Sequence, residues 1–404
     1  NEELKKSLAS SHIFVYPSIW KETFCLSLLE AMSAGCLCIH SSLGALPETS
    51  SNWTMMYQFD EDFNNHENRF YAKLKQAVET VNLRQTQEHL QKQKDYIDYH
   101  FNWNGRVIAA LPALIKYYKN HSEEEWYVMI SGWGFVSLGI PELQERTFDP
   151  ETKGVWENIF LKADEMVSPE PYHVPNFYKG KISIAEAFDE IINETNDHSD
   201  LDYETIKLSY SEINKGQEII YRAFEKQQKV QTIVINPYAS SAQIGHSGVH
   251  DESYRSLPDN VFLELCKNLS KKYNIIYMGY PELLSEENKF VYAPQPDISL
   301  RDWMGVICQV DYFIGVDTAG QHIARATGTK GCVIMGGTDA VNMSYPDYFR
   351  IIKRKTPHYT PLRISQLQSD LANRLNHECM EYTEDEISDI CDNIIKDVDK
   401  ILTY

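Results

Sequence analysis

The chain has 404 residues, which is enough for about two to four folding units with substantial cores. Apolar residues make up 43% and aromatic residues 12%, as in globular rather than disordered proteins. The formal net charge of −20 argues against nucleic acid as a partner, because phosphate binding requires a basic surface. The chain has no apolar run of about eighteen residues and no signal-peptide pattern at its start, so we expect a cytoplasmic protein without a transmembrane segment.

The eight cysteines are scattered along the chain, and several stand inside apolar runs. This pattern is typical of reduced, buried thiols rather than of disulfides. Cys36 and Cys38 stand two apart in a strand-like run and are expected on one face of a sheet. No set of cysteines and histidines at zinc-ligand spacing is complete, so the sequence predicts no metal site.

The first part of the chain alternates helices and strands. The predicted elements are a helix at Glu2–Ala9, a strand at His12–Pro17, a helix at Leu26–Met32 and a strand at Cys36–His40. Such alternation indicates a parallel sheet with helices on both faces. Because only two strands precede Pro47, we expect the sequence to start inside a domain.

The middle of the chain is mainly helical by its pattern. Residues 66–98 have apolar positions at helical spacing and predict one amphipathic helix. Gly105–Lys119 is predicted as a further helix, and the polar stretch Asn120–Glu125 as a domain boundary. Residues 126–230 are interpreted either as an acceptor-side half or as an irregular connecting domain. Their predicted elements are a strand at Val128–Ile130 and helices at Ile184–Ile192 and Ile213–Lys226.

The last part of the chain, from Gln231, alternates strands and helices most clearly. The predicted strands are Thr232–Asn236, Asn274–Met278, Tyr312–Val316 and Gly331–Met335. The predicted helices are Pro258–Lys272, Arg301–Val310, Gly320–Thr327 and Thr383–Leu402, the last one capped by Thr383 and Glu386. The fold class predicted from this pattern is α/β, with doubly wound, Rossmann-like parallel sheets.

The turn after the predicted strand Tyr312–Val316 carries the strongest sign of chemistry. Ligands of such sheets bind beyond the carboxyl ends of the strands. Thr318, Ala319 and Gly320 are small, so their amides can approach a pyrophosphate at a helix N-terminus. Asp317 would accept hydrogen bonds from sugar hydroxyls, and His322 would donate to a phosphate or a leaving group. The alternative is an ordinary turn with Asp317 as the N-cap and His322 on the surface.

The segment Gly315–Ala324 and its surroundings resemble glycosyltransferase family 9, the heptosyltransferase-like inverting enzymes of the GT-B fold. The likeness extends over residues 231–404 and includes Gly331–Asp339, Asn236-Pro237, Leu257-Pro258, Met278-Gly279 and Cys379. It implies that the donor pyrophosphate binds the amides of Thr318, Ala319 and Gly320, and that Asp317 and His322 flank the sugar and the phosphate. It also implies a nucleoside-side role for Glu282 and a phosphate or acceptor role for Ser240 and Ser241.

One departure from family 9 concerns the catalytic base. The N-terminal half of that family opens with a strand and a Gly-Asp turn, whose aspartate is the proposed base of an inverting transfer. The stretch Gly134–Pro141 has a similar shape, but Phe135 stands where the aspartate would be. Because phenylalanine cannot accept a proton, either another residue such as Glu142 or Glu145 serves, or this part of the chain does not catalyse.

The first part of the chain resembles glycosyltransferase family 4, which is retaining and also has the GT-B fold. The likeness covers about residues 1–120 and rests on Phe14–Ser18, Glu22–Cys25, Leu29–Met32, Gly35 and Gly44–Glu48. It implies that Glu22 contacts the donor sugar, that Glu30 contacts the ribose, and that the amides of Thr23, Phe24 and Cys25 meet the phosphates. Without this context, two glutamates eight apart would indicate a solvated helix face.

The leading hypothesis is a fusion of two GT-B units in one glycosyltransferase, which would be bifunctional if both units catalyse. The predicted regions are a nucleotide-sugar-binding half at 1–120, the region 126–230, and a second nucleotide-sugar-binding half at 231–404. The candidate catalytic residues are Asp317, His322 and Glu22. The expected partners are a nucleotide sugar and a glycan, lipopolysaccharide-like or protein-linked acceptor, with no obligatory cofactor. The alternative is a non-catalytic sugar-nucleotide-binding or scaffold protein that keeps the transferase fold.

Overall fold

The computed structural model describes residues 7–402 apart from 21–24, 45, 51–52, 101–103, 131–133, 151, 168, 172–173, 240–241, 246–247, 252–254, 281–282, 286–288, 295–297, 337 and 355–379. The chain divides into two compact units, unit 1 at Asn1–Asn102 and unit 2 at Trp103–Tyr404. In the described part, no helix is long and apolar enough to cross a membrane.

Unit 1 contains a three-stranded parallel sheet in the order β1-β2-β3. Its elements are β1 (Ile13–Tyr16), α1 (Leu26–Ser33), β2 (Leu37–Ser41), α2 (Leu46–Ser50), β3 (Met55–Tyr57), α3 (Phe63–Thr80) and α4 (Arg84–His100). The predicted strands and the helix at Leu26–Met32 are therefore confirmed, and β3 was not predicted. Cys36 and Cys38 are both fully buried, as expected from their place in an apolar run.

The amphipathic region predicted as one helix forms two. Helix α3 starts after Asp62, whose carboxylate accepts a hydrogen bond from the amide of Asn65 at 3.1 Å, and it packs on β2 and β3. Helix α4 packs instead on α1, where the Gln93 amide donates to the Cys36 carbonyl at 2.9 Å. One straight helix could not serve both packing surfaces, so the chain turns between α3 and α4.

The part of unit 2 that precedes its main sheet is largely helical. Its elements are α5 (Asn104–Asn120), β4 (Val128–Met129), α6 (Pro141–Gln144), β5 (Thr147–Phe148), α7 (Val155–Asn158), α8 (Pro175–Tyr178), α9 (Ile184–Ile192) and α10 (Tyr210–Gln227). The two short strands pair in parallel with each other. Helix α5 packs against α9 and against a helix of the later Rossmann-like part. The predicted boundary at Asn120–Glu125 therefore lies inside unit 2.

The main sheet of unit 2 has five parallel strands in the order β12-β11-β10-β6-β9. The strands are β6 (Thr232–Asn236), β9 (Asn274–Tyr277), β10 (Tyr312–Val316), β11 (Gly331–Met335) and β12 (Arg350–Lys353), and a hairpin is formed by β7 (Gln243–Gly245) and β8 (Gly248–His250). The helices are α11 (Asp259–Leu269), α12 (Leu300–Ile307), α13 (Ala319–Ala326), α14 (Ala340–Met343) and α15 (Glu384–Leu402). The four predicted strands are confirmed, whereas β12 and the hairpin were not predicted.

Hydrophobic packing on both faces holds this sheet. Every residue of β6, β9, β10 and β11 is buried. On one face, α15 packs against α11 through a buried stripe that includes Ile387, Ile394 and Val398. The predicted cap of α15 is present, because the Thr383 amide donates to Glu386 and the Glu386 amide donates to the Thr383 hydroxyl. The predicted doubly wound arrangement is therefore confirmed for this part of the chain.

Helices α10 and α12 approach each other at two glycines. A Cβ atom added at Gly216 would lie 2.2 Å from the Gly305 carbonyl oxygen, which is closer than packed atoms can stand. The contact is also fixed by Arg301 of α12, which forms a bidentate ion pair with Glu212 of α10 at 2.6 and 2.9 Å. The glycines therefore allow the two helix backbones to touch.

We expect Gly216→Ala to lower the free energy of unfolding by about 1–3 kcal/mol, because overpacking outweighs the better helix propensity of alanine. Urea unfolding of the full chain, followed by circular dichroism, measures the change. Gly134→Ala is the matched control, since the nearest atom to its added methyl group would be Thr147 Cγ2 at 3.9 Å. Wild-type stability of Gly216→Ala would contradict the close helix contact.

Candidate functional site

The candidate donor site of unit 2 lies at the carboxyl edge of its main sheet. Asp317 directly follows β10, and Thr318 is the N-cap residue of α13. The Thr318 side chain makes no capping hydrogen bond to the helix, because its hydroxyl donates to Asn236 Oδ1 at the end of β6. The first-turn amides of α13 are therefore not occupied by the side chain of the N-cap residue, which is the arrangement that favours an anion.

Asp317 is buried and links two loops. Its Oδ1 accepts a hydrogen bond from Gln321 Nε2 at 3.0 Å, and its Oδ2 accepts one from the Thr338 hydroxyl at 2.8 Å. The alternative interpretation of Asp317 as the N-cap is wrong, because Thr318 occupies that position. A carboxylate can accept about four hydrogen bonds, so Asp317 could accept a further one from a sugar hydroxyl.

Gly320 is required by packing inside the protein. A Cβ atom at this position would lie 2.5 Å from Asn236 Oδ1 and 3.0 Å from the Phe313 ring. Asn236 in turn donates from Nδ2 to the Met278 carbonyl at 2.8 Å, beyond the end of β9. The small residue therefore lets the start of α13 rest on Asn236, which joins the ends of three strands.

Arg255 is a site residue that sequence reasoning missed. Its Nη1 lies 3.9 Å from Asp317 Oδ2, with only 20% of the side chain exposed. Burial lowers the pKa of Arg255 and Asp317 opposes this, but the guanidinium remains protonated because its usual pKa is far above neutral. A partly desolvated cation at the carboxyl edge of a parallel sheet suits a phosphate. The only sign of Arg255 in the sequence was a single arginine just before Leu257-Pro258.

The loop that carries Arg255 is pinned to the end of β6. Ser256 donates from its hydroxyl to Asp251 Oδ2 at 2.6 Å and accepts from the Ala239 amide at 2.9 Å. The Leu257 amide also donates to the Pro237 carbonyl at 2.8 Å. These hydrogen bonds hold Arg255 over the same sheet edge as Asp317.

His322 is buried in the first turns of α13 and is 4% exposed. The alternative interpretation of a surface histidine is therefore wrong. Its Nδ1 lies 2.8 Å from the Tyr345 hydroxyl, and burial lowers its pKa to about 4 although Asp317 acts in the opposite direction. The imidazole is therefore neutral near pH 7 and can donate one hydrogen bond, but it has no second proton to transfer.

Two of the candidate residues of unit 1 lie on or next to α1. Cys25 is buried and is the N-cap of α1, with no side-chain capping hydrogen bond, and Glu30 is exposed along the same helix. A cavity of about 290 Å³ lies beyond the carboxyl ends of the unit 1 strands, lined by Ile19, Leu43, Phe59, Asp60, Glu61 and Phe63. The other predicted site residues, Glu22, Thr23, Phe24, Ser240, Ser241 and Glu282, lie outside the described residues.

Phe135 lies in a short 3₁₀ helix, Gly134–Ser137, and packs against the core of unit 2. Its role in this structure is therefore hydrophobic. Glu142 lies in α6, and Glu145 is the C-cap of that helix. Within the described ranges, no group of three or more His, Cys, Asp or Glu residues could hold a metal ion.

Comparison with known proteins gives one family match and several similar structures. Residues 1–94 match the family described as glycosyl transferases group 1. The chain is similar to a glycosyl transferase family 9 protein from Veillonella parvula, with a TM-score of 0.52 and 12% identity, covering 73% of this chain and 95% of that one. No curated protein sequence is significantly similar to the chain.

Two further similar structures come from Escherichia coli. ADP-heptose LPS heptosyltransferase II has a TM-score of 0.43 and 13% identity, covering 67% of this chain and 96% of that one. The iron-containing dodecameric glycosyltransferase TibC has a TM-score of 0.45 and 11% identity, covering 74% of this chain and 76% of that one.

These findings confirm the predicted fold and the predicted class of enzyme. The likeness to the Veillonella parvula structure shows an α/β fold of the GT-B type. The match over residues 1–94 supports the glycosyltransferase prediction from the part of the chain where the glutamate motif was found.

Proposed function

We propose that this chain transfers a sugar from a nucleotide-activated donor to a glycan or glycoconjugate acceptor, and that unit 2 binds the donor pyrophosphate at the N-terminus of α13. The observation that carries the proposal is the position of Arg255, a partly buried cation held beside Asp317 at the start of this helix. Helix N-termini and arginines both favour phosphate oxygens. The first-turn amides and Arg255 would bind the pyrophosphate together.

The residues around this site would act mainly by positioning and by charge stabilisation. Negative charge grows on the nucleoside diphosphate as the sugar leaves, and preorganised donors lower the energy of that state. Arg255 and the amides of Ala319 and Gly320 supply such donors. Because Arg255 provides the positive charge, the proposed transfer needs no obligatory metal ion. Asp317 holds Arg255 and the start of α13, and would accept a hydroxyl of the donor sugar.

The finer proposal is a fusion with a second donor site in unit 1. The support is the family match over residues 1–94, together with a second helix, α1, whose N-cap Cys25 makes no side-chain capping bond. In this proposal Glu22 and Glu30 contact the sugar and the ribose, and the amides of Thr23, Phe24 and Cys25 meet the phosphates. Two active units would add successive sugars to one glycan.

A second candidate function is donor binding without transfer by unit 2. The observation that favours it is Phe135, which packs against the core of unit 2 and which, by the sequence resemblance to family 9, replaces the aspartate proposed as the base. A transferase of this type needs a group that deprotonates the acceptor hydroxyl. Donor binding without transfer or hydrolysis would support this candidate.

We expect Arg255→Met to weaken binding of nucleoside diphosphates to unit 2 by about 10- to 100-fold, because a charge-assisted hydrogen bond to phosphate is lost. Isothermal titration of the full chain with ADP, UDP and GDP, and with sugars linked to them, measures the change. Arg255→Lys keeps the positive charge but loses the planar guanidinium, so its affinity for nucleoside diphosphates should lie between those of the wild type and Arg255→Met.

The matched control for Arg255 is Arg222→Met, which removes an exposed arginine that pairs with Glu218 on α10. We expect this control to bind like the wild type. Equal binding by the Arg255→Met, Arg222→Met and wild-type chains would remove the pyrophosphate assignment. Thermal unfolding of each variant checks that the loss does not come from misfolding.

The fusion proposal predicts two donor-binding sites per chain. Glu30→Ala should abolish or weaken one site by about tenfold or more, because the ribose loses a charged acceptor, and should leave the other unchanged. Isothermal titration measures the number of sites per chain in Glu30→Ala alone and in the double variant with Arg255→Met. Glu67→Ala, which removes an exposed helical glutamate of the same unit, is the control. A single site that does not respond to Glu30→Ala would contradict the proposed role of unit 1.

A further inference from the structure

The pair formed by His322 and Tyr345 joins α13 to the chain just after α14. The Tyr345 hydroxyl lies 2.8 Å from His322 Nδ1. The two rings meet edge to face, with centroids 5.5 Å apart and planes at 85°. Both side chains are buried, at 4% and 9% exposure. The contact is thus a buried hydrogen bond with a fixed ring geometry.

The environment of Tyr345 determines which atom donates. Its ring packs edge-on against Tyr203 at 5.7 Å and against Phe349 at 6.1 Å. Burial raises the pKa of Tyr345, so the phenol keeps its proton. In the part of the chain that the structure describes, His322 Nδ1 is the hydrogen-bond partner found for this hydroxyl.

Two arrangements of the protons are possible. If the phenol donates to Nδ1, the hydroxyl proton and the Nδ1 lone pair satisfy each other, and the imidazole carries its own proton on Nε2. If Nδ1–H donates to the phenol oxygen, the phenol proton has no acceptor among the described residues. A buried hydrogen-bond donor without a partner loses its hydration free energy with no compensation, so the first arrangement is favoured.

The charged groups near the His322 and Tyr345 pair include an aspartate and two arginines. Asp317 lies five residues earlier, just before the helix, and its carboxylate accepts hydrogen bonds from Gln321 and Thr338 and lies near Arg255. On the far side of Tyr345, the Arg325 guanidinium lies 4.6 Å above the Tyr203 ring. Burial is the larger influence on the imidazole and lowers its pKa, whereas Asp317 acts in the opposite direction.

We propose that Tyr345 is a positioning residue that holds His322 as the Nε2-protonated neutral tautomer, so that Nε2 donates a hydrogen bond to the diphosphate or sugar of the donor. This inference rests on the proposed donor site at the start of α13. It assigns His322 the role of a fixed hydrogen-bond donor rather than that of a general acid.

The first test is ¹⁵N NMR of the imidazole nitrogens in the full-length chain. His322→Gln identifies the His322 signals among the 13 histidines. We expect protonated Nε2 and unprotonated Nδ1 from pH 8 down to about pH 5, because burial lowers the pKa of His322 to about 4. An Nδ1-protonated ring, or titration near the ordinary histidine pKa of about 6.5, would overturn the proposal.

Tyr345→Phe separates positioning from packing, because it removes only the hydroxyl. We expect a mixture of the two tautomers and a higher His322 pKa, since the Nδ1 lone pair is then free to take a proton. Tyr348→Phe is the matched control, because the Tyr348 hydroxyl is buried without a hydrogen-bond partner in the described structure. The control should leave both His322 signals unchanged. An unchanged tautomer in Tyr345→Phe would also overturn the proposal.

The last test adds whichever of ADP, UDP and GDP binds the wild type most tightly. We expect the Nε2 signal to shift on binding, and Tyr345→Phe to weaken binding by about fivefold. If the nucleotide binds through Arg255 without moving the Nε2 signal, the donor role of His322 fails while the proposed function stands. If no nucleotide or nucleotide sugar binds unit 2, the proposed function fails together with this role, whatever the tautomer.

Discussion

The contact between Asn236 and the start of α13 is the constraint on which the rest of unit 2 depends. Asn236 accepts a hydrogen bond from the Thr318 hydroxyl and donates one to the Met278 carbonyl. It also packs against Gly320, so this one side chain joins the ends of β6, β9 and β10. Because the Thr318 hydroxyl is hydrogen-bonded to Asn236, the Thr318 side chain does not cap the helix. The same interaction therefore fixes the helix in place and leaves its N-terminal amides for an anion.

The strands and the turn could be predicted from the sequence because they are local features. Thr232–Asn236, Tyr312–Val316 and Gly331–Met335 are short apolar runs bounded by polar residues, and the structure has them with these bounds. Strand β12 was missed because only its two central residues are apolar and partly buried, and exposed Arg350 and Lys353 stand at its ends. The split of residues 66–98 was missed because helical spacing alone does not show which surface each turn packs on.

Arg255 and Tyr345 could not be identified from local pattern. Each acts on a residue far along the chain, Arg255 on Asp317 and Tyr345 on His322. Their own neighbourhoods in the sequence look like ordinary loops. The turn at Asp317 was expected to be open to a ligand, yet its acid and its histidine are both buried and hydrogen-bonded. The chemistry of the site is therefore set by long-range contacts, which a motif does not contain.

A neutral histidine is compatible with the departure of a nucleoside diphosphate. The terminal phosphate of such a group has a second pKa of about 6, so near pH 7 it leaves as an anion and needs no proton from the protein. What lowers the barrier is stabilisation of the growing negative charge, which Arg255 and the amides of α13 can provide. A charged imidazole in this buried position would cost free energy in the empty site. A neutral imidazole that Tyr345 fixes as a hydrogen-bond donor avoids that cost, and it is already oriented when the nucleotide sugar binds.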